Sequence, residues 1–385
     1  ERLTYDPEVM QAVEAHAEET GAPREAVVAQ VEGYAREIVP AFSAYAYFSI
    51  GTRVSKWIAR AFYRVRLGTV DEEALGQIDP DATVIFVMNH RSNFDYLLVT
   101  FLAARASALS YAVGEWARVW PLSRIVRAMG AYFIRRKSRS ALYRKVLARY
   151  VQMATAAGVT QAVFPEGGLS RDGRLAPPKL GLLSYIVQGF DPGSGRDVVF
   201  VPVGLNYDRV IEDRVLLSAR DVGARAFRVS VLSAGAYVMR LIWRRLTGRL
   251  YKFGYACVSF GTPLSLKTFL AEDRTVEDLA DVLMGRVGAV IPVLPVSLLA
   301  RVFLEARGPL TEIDLKRRSA EVLDGLLAEG AHCHLPRASL DYAVDVGLRM
   351  LAMRRIVAET PEGYVLAEGE EDVLSFYANA IAHHR

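Results

Sequence analysis

The sequence predicts an α/β domain, preceded by a helical region and followed by a small winged-helix-like module. Three observations carry that reading. Between residues 80 and 265, short β-branched or aromatic runs alternate with helical stretches, which is the mark of a sheet covered by helices. The first 67 residues show mainly helical spacing, and from Gly308 onward the order is helix, helix, two short strand-like runs, helix. A chain of 385 residues has room for two or three domains and a substantial core. The predicted division is therefore 1–67, 68–306 and 307–385.

Taken in order, Glu8 to Glu18 and Pro23 to Ile38 follow amphipathic spacing, with Pro23 suited to an opening turn. From Ala44 to Leu67, aromatic and aliphatic residues alternate with Arg53, Lys56, Arg60, Arg64 and Arg66, the composition either of an interfacial helix or of an amphipathic helix on its own core. The strand-like runs are Ala82 to Met88, Leu109 to Val113, Ala131 to Ile134, Gln161 to Phe164, Val198 to Val203 and Tyr255 to Phe260. Asn93 to Ala104 and Ser140 to Ala157 read as helices between them. Residues 226–252 and 285–305 are apolar but shorter than a secure bilayer span, and Pro292 and Pro295 break the second. Each suits a segment lying on a membrane or a buried core helix. In the tail, Glu312 to Glu329 and Ser339 to Met353 are helical, and Arg355 to Glu359 and Gly363 to Ala367 form the strand pair. The second of those helices has few basic residues, which favours a packing module over a nucleic-acid binder.

Composition narrows the classes of function. Apolar residues make up 52% and charged residues 23%, with mean hydropathy +0.16, so membrane contact is open and extensive disorder is excluded. The net charge of +4 suits anionic partners, and only seven of the 47 basic residues are Lys. Arginine forms bidentate contacts to phosphate, although a GC-rich genome produces the same bias. Cys257 and Cys333 have no CxxC spacing, which excludes a disulfide framework and a Cys-rich zinc site. The chain begins at Glu1 rather than Met, so a segment preceding it is open.

Polar residues directly after strands are where such sheets gather chemistry. The first run ends in Asn89-His90-Arg91-Ser92-Asn93-Phe94-Asp95. Across a strand-to-helix turn Asp95 can accept from one imidazole nitrogen of His90 and leave the other as a base; a plain capping interaction fits the same spacing. Metal ligation lacks a third nearby His. Gly130 to Lys137 places Arg135, Arg136 and Lys137 at a strand end, a phosphate fork or a solvated basic turn. Phe164 to Arg174 offers paired glycines with Ser170, Arg171 and Arg174 for an anion, or only a turn. Val201-Pro202-Val203-Gly204 is an apolar strand with a kink that suits an acyl or thioester site.

In this order the four blocks, NHxSxxD, GxxFIRR, FPEGxxSR and a Pro-containing strand, resemble the glycerolipid acyltransferase superfamily. His90 to Tyr96 and Gly130 to Arg136 look more like its glycerol-3-phosphate and dihydroxyacetone-phosphate branch, and the closing FYANAIAHH is similar to the end of glycerol-3-phosphate acyltransferases. The resemblance implies a mixed sheet flanked by helices and transfer of a fatty acyl group from acyl-CoA or acyl-ACP to the sn-1 hydroxyl of glycerol-3-phosphate. It makes His90 the general base and Asp95 its orienting partner. Arg135 and Arg171 match phosphate-binding positions, and Glu166, counted among the catalytic residues, forms with Gly167 a substrate-positioning pair. Where the family usually has Arg this chain has Leu169, so Arg136, Arg174 or Lys179 is expected to supply the missing phosphate contact, and an sn-2 lysophosphatidate acceptor is the alternative.

The chemistry of the residues agrees. A hydroxyl attacking an activated thioester needs a base but neither a covalent intermediate nor a metal, and no cofactor is expected beyond the acyl donor. The expected partners are glycerol-3-phosphate, acyl-CoA or acyl carrier protein, and a phospholipid membrane, with no nucleic acid. The expected place is the cytoplasmic face of a bacterial inner membrane. A non-catalytic membrane adaptor is the rival reading from another class.

Overall fold

The structure, a computed structural model, describes residues 1–41, 46–103, 110–113, 127, 130–135, 140–193, 195–222 and 252–384. The N-terminal helices are α1 (Pro7–Thr20) and α2 (Arg24–Ile38). Asp6 caps α1 by accepting from the Glu8 N–H at 3.1 Å, with Pro7 at the first turn where no donor is needed. A π-helical turn, Ala46–Gly51, leads into α3 (Thr52–Phe62), followed by β1 (Arg64–Val70) and the short α4 (Glu72–Gly76).

The central elements are β2 (Thr83–Met88), α5 (Asp95–Ala103), β3 (Ser110–Val113), β4 (Ala131–Phe133), α6 (Ala141–Ala156), β5 (Gln161–Val163), α7 (Gly181–Gln188), β6 (Val198–Tyr207) and α8 (Asp213–Val222). After them come β7 (Tyr255–Phe260), β8 (Leu264–Ser265), α9 (Leu266–Leu270), α10 (Val276–Ala289) and α11 (Pro295–Glu305). The C-terminal elements are α12 (Glu312–Ala328), α13 (Leu340–Met353), β9 (Val357–Thr360), β10 (Gly363–Leu366) and α14 (Glu371–Ala378).

The main sheet runs β1-β7-β6-β2-β5-β3-β4, with β8 paired to β6. Strands β6, β2, β5, β3 and β4 are mutually parallel, while β7 lies antiparallel to β6 and carries β1 parallel to itself, so the sheet is mixed. One edge therefore collects the C-terminal ends of five strands. Parallel strands need helical crossovers and are buried on both faces, which is why their runs are continuously apolar. Alternation along β2 sends Phe86 and Met88 into one core with Val203, Leu205 and Tyr207, and Ile85 and Val87 into the other with Phe200. The first core is closed by side chains of α3, α5, α11, α13 and α14, the second by those of α1, α2, α6, α7 and α10.

Two expectations are corrected here. The segment 44–67 is not one helix: α3 stops at Phe62, and Arg64 to Val70 pair in parallel with β7, where the polar-apolar alternation of RVRLGTV fits an edge strand. The stretch Pro292 to Leu304 is not a membrane-facing surface. Pro295 to Ala300, Val302 and Phe303 are buried, because α11 packs against α12, α13 and α14. By contrast Trp57 on α3 is 59% exposed, with Val54 beside it at 46%. Residues 226–251, including Trp243, lie outside the described residues. No helix among the described residues is long and apolar enough to cross a membrane. The tail has the expected order, with β9 and β10 as a two-stranded antiparallel wing.

Candidate active site

The site forms where β2 ends. Asn89 extends the β2–β6 pairing by one residue through its side chain, donating to the Leu205 carbonyl at 2.9 Å and accepting from the Leu205 N–H at 2.8 Å. This fixes the point at which the chain turns toward α5. His90 follows, and its Nδ1 lies 2.9 Å from Asp95 Oδ2. The same oxygen accepts from the Arg91 and Ser92 N–H groups at 2.8 and 3.0 Å, while Oδ1 accepts from the Tyr207 hydroxyl at 2.5 Å. With every neighbour donating, Asp95 is left as the acceptor throughout, so the shared proton resides on His90 Nδ1 and Nε2 carries the lone pair.

Nε2 faces the Tyr96 hydroxyl at 3.4 Å, and the Phe164 ring packs on the imidazole with centroids 4.2 Å apart. His90 is only 2% exposed. A long contact on one nitrogen and a short one on the other is the arrangement of an oriented base awaiting a proton donor.

Two carboxylates brace this loop from outside it. Glu166, just after β5, accepts from the His90 N–H at 2.7 Å through Oε1 and from the Ala176 N–H at 2.9 Å through Oε2. Burial pushes its pKa up to about 7, against the pull of those two hydrogen bonds. Glu212 accepts from Ser92 Oγ at 2.9 Å and from the Asn93 N–H at 2.6 Å, holding the first turn of α5. Its carboxyl is also raised by burial.

The FPEGG block closes over His90 by one further bond, from the Ser170 N–H to the His90 carbonyl at 3.0 Å. Ser170 Oγ donates to the Arg174 carbonyl at 2.8 Å, so it shapes the loop. Gly167 has φ +69°, and a β-carbon there would meet the Lys179 Cδ at 2.7 Å; the absence of a side chain lets Lys179 lie across it. Arg171 and Arg174 are exposed on the same loop, the first donating weakly to the Ala219 carbonyl at 3.4 Å. Leu169 packs against the hydrophobic core.

Arg135 is placed differently. Its guanidinium grips Glu37 of α2 with contacts of 2.7 to 3.2 Å and lies against the Tyr34 and Tyr143 rings. β4 stands three strands from β2, about 14 Å at ordinary strand spacing, so the structure does not bring Arg135 to His90. Arg136 lies outside the described residues. No three His, Cys, Asp or Glu side chains among the described residues gather closely enough to hold a metal ion.

Residues 70–206 match the acyltransferase family model, and residues 242–385 match that of the glycerol-3-phosphate acyltransferase C-terminal region. A glycerol-3-phosphate acyltransferase of Aeromonas hydrophila is 29% identical over 97% of this chain and 48% of its own length, and one of Xylella fastidiosa is 28% identical over 97% and 45%. The chain thus carries an acyltransferase domain and a glycerol-3-phosphate acyltransferase C-terminal region. It spans about half the length of the curated relatives it matches. Among solved structures, a 1-acyl-sn-glycerophosphate acyltransferase of Thermotoga maritima is similar with a TM-score of 0.34 at 19% identity, over 62% of this chain and 79% of that one.

For this acyltransferase-family chain, sequence reading placed His90, Asp95 and Glu166 together, and the fold does join them. It missed Tyr207 and Glu212. Tyr207 closes the fourth block's strand, where an aromatic hydroxyl at a strand end was the available signal; Glu212 follows in a loop and has no local signal at all. Arg91 was also passed over. It is 3% exposed, donates to the Gly173 carbonyl and packs 4.9 Å from the Phe376 ring, joining the catalytic loop to α14.

Proposed function

We propose that this chain transfers a fatty acyl group from acyl-CoA or acyl-ACP to the sn-1 hydroxyl of glycerol-3-phosphate, with His90 as general base. The observation that carries this reading is the asymmetry at His90, where Nδ1 is committed to Asp95 and Nε2 is held without a short partner. The acceptor hydroxyl gives its proton to Nε2 as its oxygen bonds to the thioester carbonyl. The carbon–sulfur bond then breaks, and the imidazolium returns the proton to the departing thiolate. Ester and free thiol result, and His90 is restored.

Asp95, fixed by Tyr207 and two backbone donors, keeps the proton on Nδ1 and stabilises the transient imidazolium. Glu166 acts by positioning, since both its oxygens are spent on backbone N–H groups. Arg171, Arg174 and Lys179, exposed around the same loop, supply the charge for the acceptor phosphate. The exposed Val54 and Trp57 face of α3, with Arg53, Lys56 and Arg60, suits attachment to an anionic membrane where acyl chains are delivered.

The test is thin-layer separation of products from labelled glycerol-3-phosphate offered with acyl-CoA and with acyl-ACP, in competition with lysophosphatidate. The expected product is lysophosphatidate. Acylation of lysophosphatidate alone would reassign the acceptor, and no transfer with either donor would leave the adaptor reading.

A further inference from the structure

On the opposite face of the sheet from His90 lies a second concentration of positive charge that the reaction does not use. Parallel pairing of β1 with β7 puts Arg64 beside Tyr255 and Arg66 beside Cys257, so these side chains share one face. Tyr207, which holds Asp95, is registered with Ala256 and therefore belongs to the other face. The turn before α13 completes the wall with His334 and Arg337, and α13 adds Tyr342. The three arginines, His334, Tyr255 and Tyr342, with Pro336, line a cavity of about 260 Å³.

Among the described residues none of Arg64, Arg66 and Arg337 forms an ion pair with a carboxylate; Arg64 meets the Tyr255 hydroxyl at 3.5 Å and lies near that of Tyr342, with the buried Asp208 acting on it only at a distance, and Arg66 donates to the Val65 carbonyl at 3.4 Å. Instead the guanidinium groups are laid against rings. Arg64 and Arg66 both stand 5.7 Å from the Tyr255 ring centre, and Arg337 stands 4.2 Å from that of Tyr342. His334 Nε2 is buried without a hydrogen-bond partner. Arg337 is held at φ +59° and Ala338 at φ +51°, a left-handed backbone that residues with a β-carbon seldom adopt.

Three unpaired guanidinium forks and an open imidazole nitrogen, converging on one hollow, match the several oxygens of a phosphate better than a single carboxylate. The volume decides the size of the ligand. Pockets for whole cofactors run from about 300 to 1,000 Å³, so this one suits a phosphate with a few attached carbons and not a complete nucleotide coenzyme. We propose that Arg64, Arg66, Arg337 and His334 form a second phosphate site, separate from the catalytic centre, for a small phosphate ester or the phosphate of a phospholipid headgroup. The inference stands on binding geometry and does not depend on the acyl-transfer reading.

The test uses the full chain carrying His90→Ala, so that turnover plays no part. Calorimetry with inorganic phosphate and with glycerol-3-phosphate, at ionic strength matched with chloride, should show a phosphate-dependent site that weakens about tenfold for each guanidinium removed in Arg66→Gln and Arg337→Gln. Arg337→Lys, which keeps the charge but not the fork, should fall between. Both positions are exposed, and far-UV circular dichroism should report an unchanged fold. A parallel flotation assay with phosphatidylglycerol and phosphatidylcholine vesicles separates the sources: loss of soluble phosphate binding alone marks a soluble ester, and a matching loss of phosphatidylglycerol binding marks a headgroup. Unchanged phosphate affinity in the Arg66→Gln, Arg337→Gln double variant, or a loss that chloride reproduces, would overturn the site.

Discussion

Two strand ends lie on the same edge of the sheet's parallel part, three strands apart, and they are built in opposite ways. The His90 loop at the end of β2 is braced from β5 by Glu166, from β6 by Tyr207 and from the following segment by Glu212, all through hydrogen bonds of 3.0 Å or less. Arg135, just beyond β4, is tied instead to the N-terminal helix α2 by Glu37. Both looked like substrate-facing strand ends in the sequence. The difference shows that a strand end is held in one fixed geometry when neighbouring strands converge on it. At the sheet margin the same kind of basic strand end is free to serve as a fastening.

The largest test of this contrast is His90→Ala, expected to lower the acyl-transfer rate by about 10² to 10⁴ without loss of fold, as removal of a general base does. Asp95→Asn should be comparably severe, because an amide presents a donor where three other donors already point. Wild-type turnover in either variant would dissolve the assignment.

Next comes Tyr207→Phe. It removes one donor to Asp95 in a buried network, and a drop of roughly tenfold in kcat with little change in either KM is expected, given about 1 to 2 kcal/mol for such a bond. If KM for the acceptor rises instead, Tyr207 touches substrate.

The two arginines can then be set against each other. Arg171→Ala should raise KM for glycerol-3-phosphate about tenfold or more, the effect of one charge-assisted contact of about 1.5 to 3 kcal/mol, and leave the donor KM in place. Arg135→Ala should act on stability, by about 1 to 3 kcal/mol in urea unfolding, because it removes the two-pronged guanidinium grip on the buried Glu37 carboxylate. Glu37→Gln should reproduce that loss. A rise in the acceptor KM with Arg135→Ala and not with Glu37→Gln would return Arg135 to the phosphate.

The smallest expected effect is a slope. Burial raises the Glu166 carboxyl from 4.5 to about 7, so the unfolded chain ionises first as pH rises. Its contribution to folding stability is favourable at low pH, falls between about pH 4.5 and 7, and is constant above. Urea unfolding across that range should be less steep in pH for Glu166→Gln than for wild type, and an identical slope would mean that Glu166 titrates normally. The same substitution forces an amide N–H against a backbone N–H, so activity should fall even where stability does not.

Much of the fold was legible because local patterns were strong. The run Tyr255 to Phe260 is β7 as read, Thr83–Met88 lies inside the run read from Ala82, and the helices of the tail begin and end within a residue of their capping signals. Strand β1 was not legible. RVRLGTV continues the amphipathic texture of α3, and what makes it a strand is a partner about 190 residues away. The burial of α11 was equally hidden, since an apolar helix has one composition whether it meets lipid or protein.

By itself, then, the sequence determined the contact between His90 and Asp95, because the two are separated by a single strand-to-helix turn whose geometry is local. It also carried the resemblance to acyltransferases, whose four blocks are each short and contiguous. Only the tertiary structure decided that Glu166 would serve His90 through the backbone, that Arg135 would serve Glu37, and that Arg64 and Arg66 would meet Arg337 around an unfilled hollow. Each of those pairings closes a loop of some 75 to 270 residues, and no local propensity reports which distant side chain will lie at its other end.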